Sequence, residues 1–263
     1  MDLRLTGKRV LVTGASRGIG LAVVRAFREE GAAVVATARR STPELEATGA
    51  AFVPADLAAP DGPRELVERV LAGSPHLDVL VNNAGGGEPT EAMLTDPFGG
   101  DDDAWDGVFA LNLHSAVRVT RAALPALTAA RGAVVTVGSD SARRVGASDV
   151  LSYAVAKAAL SAFSRGLAER VGPVGVRVNV VSPSATRTPL IEGVDGIAAA
   201  VARVTGADRT AVVEGMAQQG GMLTGALIEP DEIARAVLLL ASPTMPGATG
   251  ENWGVDAGSV KSL

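Results

Sequence analysis

Two side chains four positions apart, Tyr153 and Lys157, could together transfer a proton. They lie in the segment 151–170, whose small apolar residues recur with helical spacing, and residues four apart share one face of a helix. A phenol has a pKa near ~10, and a neighbouring cation lowers it toward the working pH that acid–base catalysis favours. The pair therefore indicates a proton-transfer site, with an ordinary surface pair as the alternative. Tyr153 is the only tyrosine in the chain, which favours the first interpretation.

A glycine-rich turn near the start of the chain could hold phosphate groups. It reads Thr-Gly-Ala-Ser-Arg-Gly-Ile-Gly over 13–20, between a predicted strand at 8–13 and an amphipathic segment at 21–30. Glycines allow a ligand to approach the backbone closely, and the N-terminus of the following helix presents free N–H groups to an anion. In this strand–turn–helix order the pattern predicts dinucleotide binding, and the alternative is a purely structural turn.

The residues after the next predicted strand, at 33–38, indicate which dinucleotide is bound. An acidic side chain about 20 positions beyond the glycines binds the ribose hydroxyls of NAD in such folds. Here that position holds Ala38, Arg39 follows it, and Arg17 lies inside the turn. Because two cations can clamp a 2′-phosphate, the sequence predicts NADP(H) rather than NAD(H). The alternative is that both arginines are merely solvated.

Alternating short apolar segments and longer amphipathic ones predict the fold. Further strands are expected at 51–54, 77–81, 133–137, 176–181 and 252–255, and further helices at 61–71, 104–130, 151–170 and 229–240. This order predicts an α/β protein, a single-domain Rossmann-like, doubly wound parallel sheet with helices on both faces, over 1–263. Ligands bind beyond the carboxyl ends of such strands. The residues at those predicted ends are Gly14, Arg39, Asp56, Asn82, Ser139 and Pro183.

Composition narrows the classes of function. The chain has no cysteine, which excludes disulfides and thiolate metal sites, and its net charge of −5 argues against nucleic acid or an anionic membrane as partner. No apolar run approaches the length of a membrane span, and the first residues lack a signal-peptide pattern, so we expect a cytoplasmic protein. The acidic stretch 101–103 is interpreted as a helix start rather than a metal site, because consecutive Asp side chains diverge around a helix.

The segment 185–228 is glycine-rich and helix-prone, and it is interpreted as a substrate-binding lid without a clear strand. Met216 and Met222 could form adaptable walls for a moderately apolar substrate, or could belong to the core. Before this lid, Arg143 and Arg144 follow the predicted site in a loop. They could attract an anionic substrate, or they could be solvated.

Taken together, these motifs make the chain resemble the short-chain dehydrogenase/reductase family, of the classical-length type, over essentially its whole length. Each motif is weak alone, but their order and spacing are specific. The matching pieces are residues 13–20, Asp56-Leu57, residues 82–85, Asn112, Ser139, Tyr153 with Lys157, residues 177–179, Pro183, Thr188-Pro189, Thr249-Gly250 and Val255-Asp256.

The resemblance implies a role for each site residue. Tyr153 would exchange a proton with the substrate oxygen, Lys157 would lower the Tyr153 pKa and bind the nicotinamide ribose, and Ser139 would hydrogen-bond the substrate. Asn112 would hold a water that links Lys157 to solvent, and Thr188 would contact the carboxamide of the nicotinamide. The cofactor contacts that it implies are Gly14, Ser16, Arg17, Gly18, Ile19, Gly20, Arg39, Asp56, Leu57, Asn83, Ala84, Gly85, Tyr153, Lys157, Pro183, Thr186 and Thr188.

The expected activity is therefore the NADP(H)-dependent interconversion of a small-molecule ketone and a secondary alcohol, by a homotetramer or homodimer. An epimerase, dehydratase or other non-redox enzyme on the same scaffold, and a non-catalytic NADP-binding regulator, are the alternatives. The chain departs from the family pattern in two places. Ser184 stands where Gly often follows Pro183, and Ser141 is a second hydroxyl close to Ser139.

Overall fold

A computed structural model describes residues 1–87, 91–96, 98–146 and 150–261. Its centre is a parallel seven-stranded sheet in the order β3-β2-β1-β4-β5-β6-β7. Most of its strands are runs of Val and Ala that are buried on both faces, as expected of a sheet covered on both sides. The strands are β1 (Arg9–Thr13), β2 (Ala33–Thr37), β3 (Ala51–Phe52), β4 (Val79–Asn82), β5 (Ala133–Val137), β6 (Arg177–Pro183) and β7 (Asn252–Val255).

Helices cover both faces of this sheet, which confirms the predicted doubly wound architecture. The helices are α1 (Gly18–Glu29), α2 (Pro43–Glu46), α3 (Gly62–Ala72), α4 (Glu91–Thr95), α5 (Asp102–Phe109), α6 (Ser115–Ala130), α7 (Leu151–Val171), α8 (Pro189–Glu192), α9 (Ile197–Thr205), α10 (Arg209–Gln219) and α11 (Pro230–Ala241). One apolar cluster joins α1 and α11 to the sheet, and a second joins α3, α6 and α7 to it. No helix within the described ranges is long and apolar enough to cross a membrane.

The predicted helix at 104–130 is interrupted. It begins earlier, at Asp102, where the Asp101 carboxylate caps it by accepting the Ala104 amide at 2.9 Å. Residues Ala110–His114 then form a π-helical turn between α5 and α6. Such turns insert an extra residue without ending the helix, and they are frequent at functional sites. Apolar spacing alone does not predict such a turn, because the chain stays helical through it.

The predicted lid, 185–228, contains three helices, α8 to α10, and one isolated parallel bridge. The bridge pairs Thr186 with Ile228, where the Arg187 amide donates to the Ile228 carbonyl at 2.8 Å. The two ends of the segment therefore meet beyond the carboxyl end of β6.

The opposite, amino-terminal edge of the sheet is fastened by Asp78. Its buried carboxylate accepts the Arg9 amide at 2.8 Å and the Lys8 ammonium at 2.9 Å, and His76 Nε2 lies 2.9 Å away. Burial opposes ionisation of Asp78, but these donors outweigh it and hold the pKa of the carboxyl below its usual value. This carboxylate joins β1 to the loop before β4.

Candidate active site

Tyr153 and Lys157 lie one turn apart on α7 and face the carboxyl end of the sheet. The Lys157 Nζ is 5.7 Å from the centroid of the Tyr153 ring, so the two side chains share a helix face as predicted. Lys157 is only 3% exposed, and its ammonium donates to the carbonyl oxygen of Val137, the last residue of β5, at 2.9 Å. Burial lowers the pKa of Lys157 to about 8.

The acidity of Tyr153 differs from the expectation. Burial is the main cause that raises the pKa of Tyr153 to about 12; a hydrogen bond with Ser139 opposes this rise and the Asp140 carboxylate contributes to it. The predicted net lowering of this pKa is therefore wrong for this structure, because loss of hydration outweighs the stabilisation of the phenolate. At neutral pH the Tyr153 hydroxyl is protonated and can act as a proton donor.

Ser139 lies two residues beyond the end of β5 and brings its hydroxyl to the Tyr153 phenol. Its Oγ accepts the Ser141 amide at 3.2 Å and lies 3.5 Å from Asp140 Oδ1. Ser141 contributes its backbone to this arrangement, so Ser139 is the hydroxyl next to the phenol. The arrangement pairs a hydrogen-bond donor with a proton donor, which suits a substrate oxygen placed between them.

Asn112 occupies the π turn and ties the loop after β4 to the Tyr153–Lys157 region. Its fully buried amide group accepts the Gly86 N–H at 2.8 Å and donates to the Gly86 and Val108 carbonyls, both at 2.9 Å. A Cβ on Gly85 would lie 3.0 Å from Asn112 Oδ1 and 3.1 Å from Lys157 Nζ. The loop therefore passes between Asn112 and Lys157, and glycine at 85 permits this approach.

The glycine-rich turn before α1 is folded too tightly for side chains. Gly14 has a φ of +64°, and a Cβ on Gly20 would lie 2.3 Å from the Gly14 carbonyl oxygen. The Asn83 amide closes the turn by donating to the Thr13 and Gly14 carbonyls at 2.9 and 3.0 Å. Because α1 begins at Gly18, the first backbone N–H groups of this helix have no partner inside it. They form a cradle for an anion.

The end of β2 adds polar groups to this cradle. The hydroxyls of Thr37, which is fully buried, and Ser41 have no hydrogen-bond partner within the described residues. Arg39 lies between them in sequence, and both Arg39 and Arg17 are exposed. Buried polar groups are normally satisfied, so these hydroxyls fit a bound ligand with hydroxyl or phosphate oxygens. The residues present therefore fit a nucleotide cofactor.

Asp56 and Leu57, which follow β3, differ in their placement. Asp56 is exposed and accepts the Ala58 amide at 3.0 Å, whereas Leu57 is buried in the core cluster of α3 and α6. Among the described residues, no side-chain hydrogen bond joins Arg39 or Asp56 to the Tyr153 group. No three His, Cys, Asp or Glu side chains of the described ranges gather as a metal ion would require.

The start of the lid lies over both glycine-containing loops. The Thr188 methyl group is 3.1 Å from where a Gly18 Cβ would lie, and Leu190 Cδ2 is 3.0 Å from that position on Gly86. Pro183 is buried at the end of β6, and the buried Thr186 hydroxyl donates to the Ser184 carbonyl at 2.9 Å. Ser184 thus stabilises this turn through its backbone.

Of the two alternatives for Met216 and Met222, substrate wall or core, the structure supports the core. Met222 is buried in the apolar cluster of α1 and α11, and Met216 packs against that cluster. A wall of the substrate site made of these two side chains is therefore not what the structure contains. The apolar groups of the lid that lie against the loops of Gly18 and Gly86 are the Thr188 methyl group and the Leu190 side chain.

Sequence reasoning missed Asp140 and Ser259. Asp140 is buried beside Ser139, and its Oδ2 accepts the Ser259 hydroxyl at 2.8 Å and lies 3.3 Å from the Arg144 guanidinium. Arg144 is therefore held by an ion pair, whereas Arg143 is exposed. Asp140 could have been found from the sequence, because it is a carboxylate next to the predicted serine. Ser259 could not, because it lies 119 positions from Asp140 and no local pattern connects the two.

The chain is similar to known proteins over most of its length. The family model described as Enoyl-(Acyl carrier protein) reductase matches residues 14–259. L-fucose dehydrogenase of Mus musculus is 34% identical over 91% of this chain and 84% of its own length. The 3-oxoacyl-(acyl-carrier-protein) reductase FabG of Salmonella typhimurium is 33% identical over 96% of this chain and 97% of its own length. The crystal structure of L-sorbose reductase from Gluconobacter frateurii, complexed with NADPH and L-sorbose, superposes with a TM-score of 0.86 at 31% identity and covers 100% of both chains.

Proposed function

Because the chain belongs to the short-chain dehydrogenase/reductase family of oxidoreductases, we propose that it interconverts a small-molecule ketone and a secondary alcohol with NADP(H). The observation that carries this proposal is the group formed by Ser139, Tyr153, Lys157 and Asn112, next to a glycine-rich cradle. A phosphate-bearing nucleotide fits the cradle, and the acid–base pair lies at the same edge of the sheet, where cofactor and substrate can meet.

In the reductive direction the nicotinamide, when bound, supplies the hydride, and the protein supplies the proton. The Tyr153 hydroxyl is protonated at neutral pH and donates its proton to the carbonyl oxygen, while Ser139 donates a hydrogen bond to the same oxygen. Lys157, fixed by the Val137 carbonyl, places a positive charge next to the phenol ring and stabilises the phenolate that forms. Asn112 holds the loop that lines this position.

The choice of NADP(H) rests on charge. Arg17 at the start of α1 and Arg39 after β2 are exposed, and the unpaired hydroxyls of Thr37 and Ser41 accompany them. Two guanidinium groups suit a 2′-phosphate, which NAD lacks. The crystal structure of L-sorbose reductase, a structural relative, contains NADPH. We expect Arg39→Ala to weaken NADPH binding far more than NADH binding; an equal loss for both would show that Arg39 does not recognise the phosphate.

For the substrate, we propose a small polar carbonyl compound, with sugar ketoses as the first class to test. Two relatives are named for ketoses, L-xylulose reductase of Bos taurus and L-sorbose reductase, and L-fucose dehydrogenase is named for an aldose. The segment 185–228 would bind this substrate, since Thr188 and Leu190 lie over the loops that flank the site. We further propose that 1–263 acts as one domain and that the chain assembles into a homodimer or homotetramer.

The decisive experiment is NADPH consumption with a panel of ketoses, cyclic and aromatic ketones and β-keto esters. The Tyr153→Phe variant is measured in parallel, with NADPH binding followed by fluorescence. We expect one class to be reduced by the wild type, and the variant to bind NADPH but turn over at least a hundredfold more slowly. Undiminished turnover by the variant would refute the mechanism. Product without net NADPH consumption would favour an epimerase, and binding without turnover across the panel would favour a regulator.

A further inference from the structure

Asp140 is a buried carboxylate with no part in the mechanism above. It follows Ser139 directly and is 5% exposed. Three side chains converge on it: the Ser139 hydroxyl at 3.5 Å, the Arg144 guanidinium at 3.3 Å and the Ser259 hydroxyl at 2.8 Å. Burial of a charged group costs free energy unless partners compensate it, so such a cluster beside the substrate position requires an explanation.

One of these partners brings in the C-terminal tail. Ser259 is 2% exposed, and its amide donates to the Asp256 carbonyl at 3.0 Å, so the tail turns sharply before it reaches Asp140. Two residues later the Lys261 ammonium donates to the Gly221 carbonyl, at the end of the lid, at 3.0 Å. The tail therefore links the lid to the loop that carries Ser139.

We propose that Asp140 is a positioning residue: held by Arg144 and Ser259, it accepts the Ser139 hydroxyl until that hydroxyl turns to the substrate oxygen, and its negative charge disfavours the phenolate of Tyr153. The proposal rests on the proposed function and refines it, because the charge keeps the resting phenol protonated while Lys157 stabilises the phenolate that forms on proton transfer. Arg144 limits the effect of Asp140 on the acidity of Tyr153, because its guanidinium partly neutralises the Asp140 carboxylate. The two charges thus set the acidity of Tyr153 from opposite sides.

Three other charged groups on the elements around the pair are Lys157, Asp256 and Arg143. Lys157 faces the Tyr153 ring from the next turn of α7, and its ammonium is bonded to the Val137 carbonyl. Asp256 lies in the tail turn, where its carboxylate accepts the Gly258 and Val260 amides at 2.9 and 3.3 Å. Arg143, next to Arg144, is exposed. Of the charged groups just named and Asp140, it is Asp140 that is buried and lies 3.5 Å from the Ser139 hydroxyl that bonds to the phenol.

The test uses Tyr153 as its own reporter. Because the chain has a single tyrosine, the near-ultraviolet absorption of the phenolate follows the ionisation of Tyr153 alone. We expect Asp140→Asn to move the midpoint of this titration down by about one pH unit, because a like charge near an acid raises its pKa. Arg144→Gln, which leaves Asp140 uncompensated, should move it up. Ser259→Ala should move it up by less.

Controls separate positioning from folding. Arg25→Gln and Glu65→Gln remove one exposed charge each on α1 and α3, and should leave the midpoint unchanged. Circular dichroism over the same pH range confirms that each variant is folded; if Arg144→Gln does not fold, Asp140→Asn and Ser259→Ala still decide. An unchanged midpoint in folded Asp140→Asn, or shifts in the same direction for Asp140→Asn and Arg144→Gln, would overturn the proposal.

A kinetic measurement connects the titration to turnover. With a ketone that the wild type reduces, the limb of the kcat profile that follows Tyr153, which lies above the one that follows Lys157, should move to lower pH in Asp140→Asn by the same amount as the optical midpoint. This measurement depends on the proposed function, whereas the optical titration does not. A moved midpoint in a protein that reduces no ketone would therefore refute the proposed function and retain the role of Asp140, and an unmoved midpoint in an active enzyme would do the reverse.

Discussion

Replacing Lys157 with methionine should stabilise the folded protein while it removes activity. The ammonium is buried, and the one hydrogen bond that it makes to the described part of the chain is to the Val137 carbonyl. Its pKa falls from 10.5 to about 8, and each pKa unit corresponds to about 1.4 kcal/mol, so the charge costs the folded state about 3 kcal/mol near pH 7. Methionine has a similar length but leaves the Val137 carbonyl without this donor, at a cost of about 1 kcal/mol.

The expected result is a Lys157→Met variant about 2 kcal/mol more stable than the wild type at pH 7. The sign of the pH dependence follows from linkage: between pH 8 and 10.5 the unfolded chain binds more protons than the folded one, so wild-type stability rises with pH. The advantage of the variant should therefore shrink toward zero by about pH 9.5. The range stops there because Tyr153, with its raised pKa, changes the slope above about pH 10.

Urea denaturation of the cofactor-free protein at pH 7 and pH 9.5, at a single protein concentration, measures both values. Lys8→Met provides the matched control, because Lys8 is partly exposed and pairs with Asp78 at 2.9 Å. That variant should lose stability rather than gain it. If Lys157→Met were less stable than the wild type at pH 7, with a difference independent of pH, the ammonium would be well compensated where it lies and the reasoning would fail.

Three further predictions concern the cradle, the loop and the sheet edge. Gly20→Ala should abolish NADPH binding measured by fluorescence, because its Cβ would lie 2.3 Å from the Gly14 carbonyl, whereas Gly73→Ala, with nothing within 4 Å, should bind normally. Asn112→Ala should lower the free energy of unfolding by about 2 kcal/mol, since it leaves the Gly86 N–H and C=O unpaired; urea midpoints equal to the wild type would contradict this. Asp78→Asn should cost about 1–3 kcal/mol at pH 7. Because the folded-state pKa of Asp78 is lowered, that difference is present above about pH 4 and should fade as the pH falls through the folded value; a constant difference down to acid pH would count against it.

The strands, and the edge of the sheet at which the site lies, could be predicted because the relevant information is local. Each run of Val and Ala between helical segments marks a buried parallel strand, and β5 and β7 have the predicted bounds. The short helix α2 was missed although Thr42 caps it and Pro43 opens it, a local pattern that could have been used. Strand β6 extends to Pro183, whereas the sequence predicted that this strand ends at 181.

The electrostatics of the site could not be predicted in the same way. Helical spacing places Lys157 beside Tyr153, but the depth at which α7 lies in the protein decides whether burial or the ammonium controls the phenol. The contact between Ser259 and Asp140 joins residues far apart in sequence, and no pattern of spacing encodes it. Short-range patterns thus predict which residues lie at the site, whereas their acidity depends on long-range packing.

The bridge between Thr186 and Ile228 has a consequence for how this protein could be changed. Because the two ends of the lid are already adjacent, altering the length of the segment between them changes the entropy of loop closure only slowly, by about 0.6 kcal/mol for each doubling. The groups proposed to transfer the proton, on α7 and just beyond β5, lie outside this segment. Lids grafted from relatives that retain Thr188 and the buried Met222 should therefore alter which carbonyl compounds the proposed site accepts without moving the Tyr153–Lys157 pair.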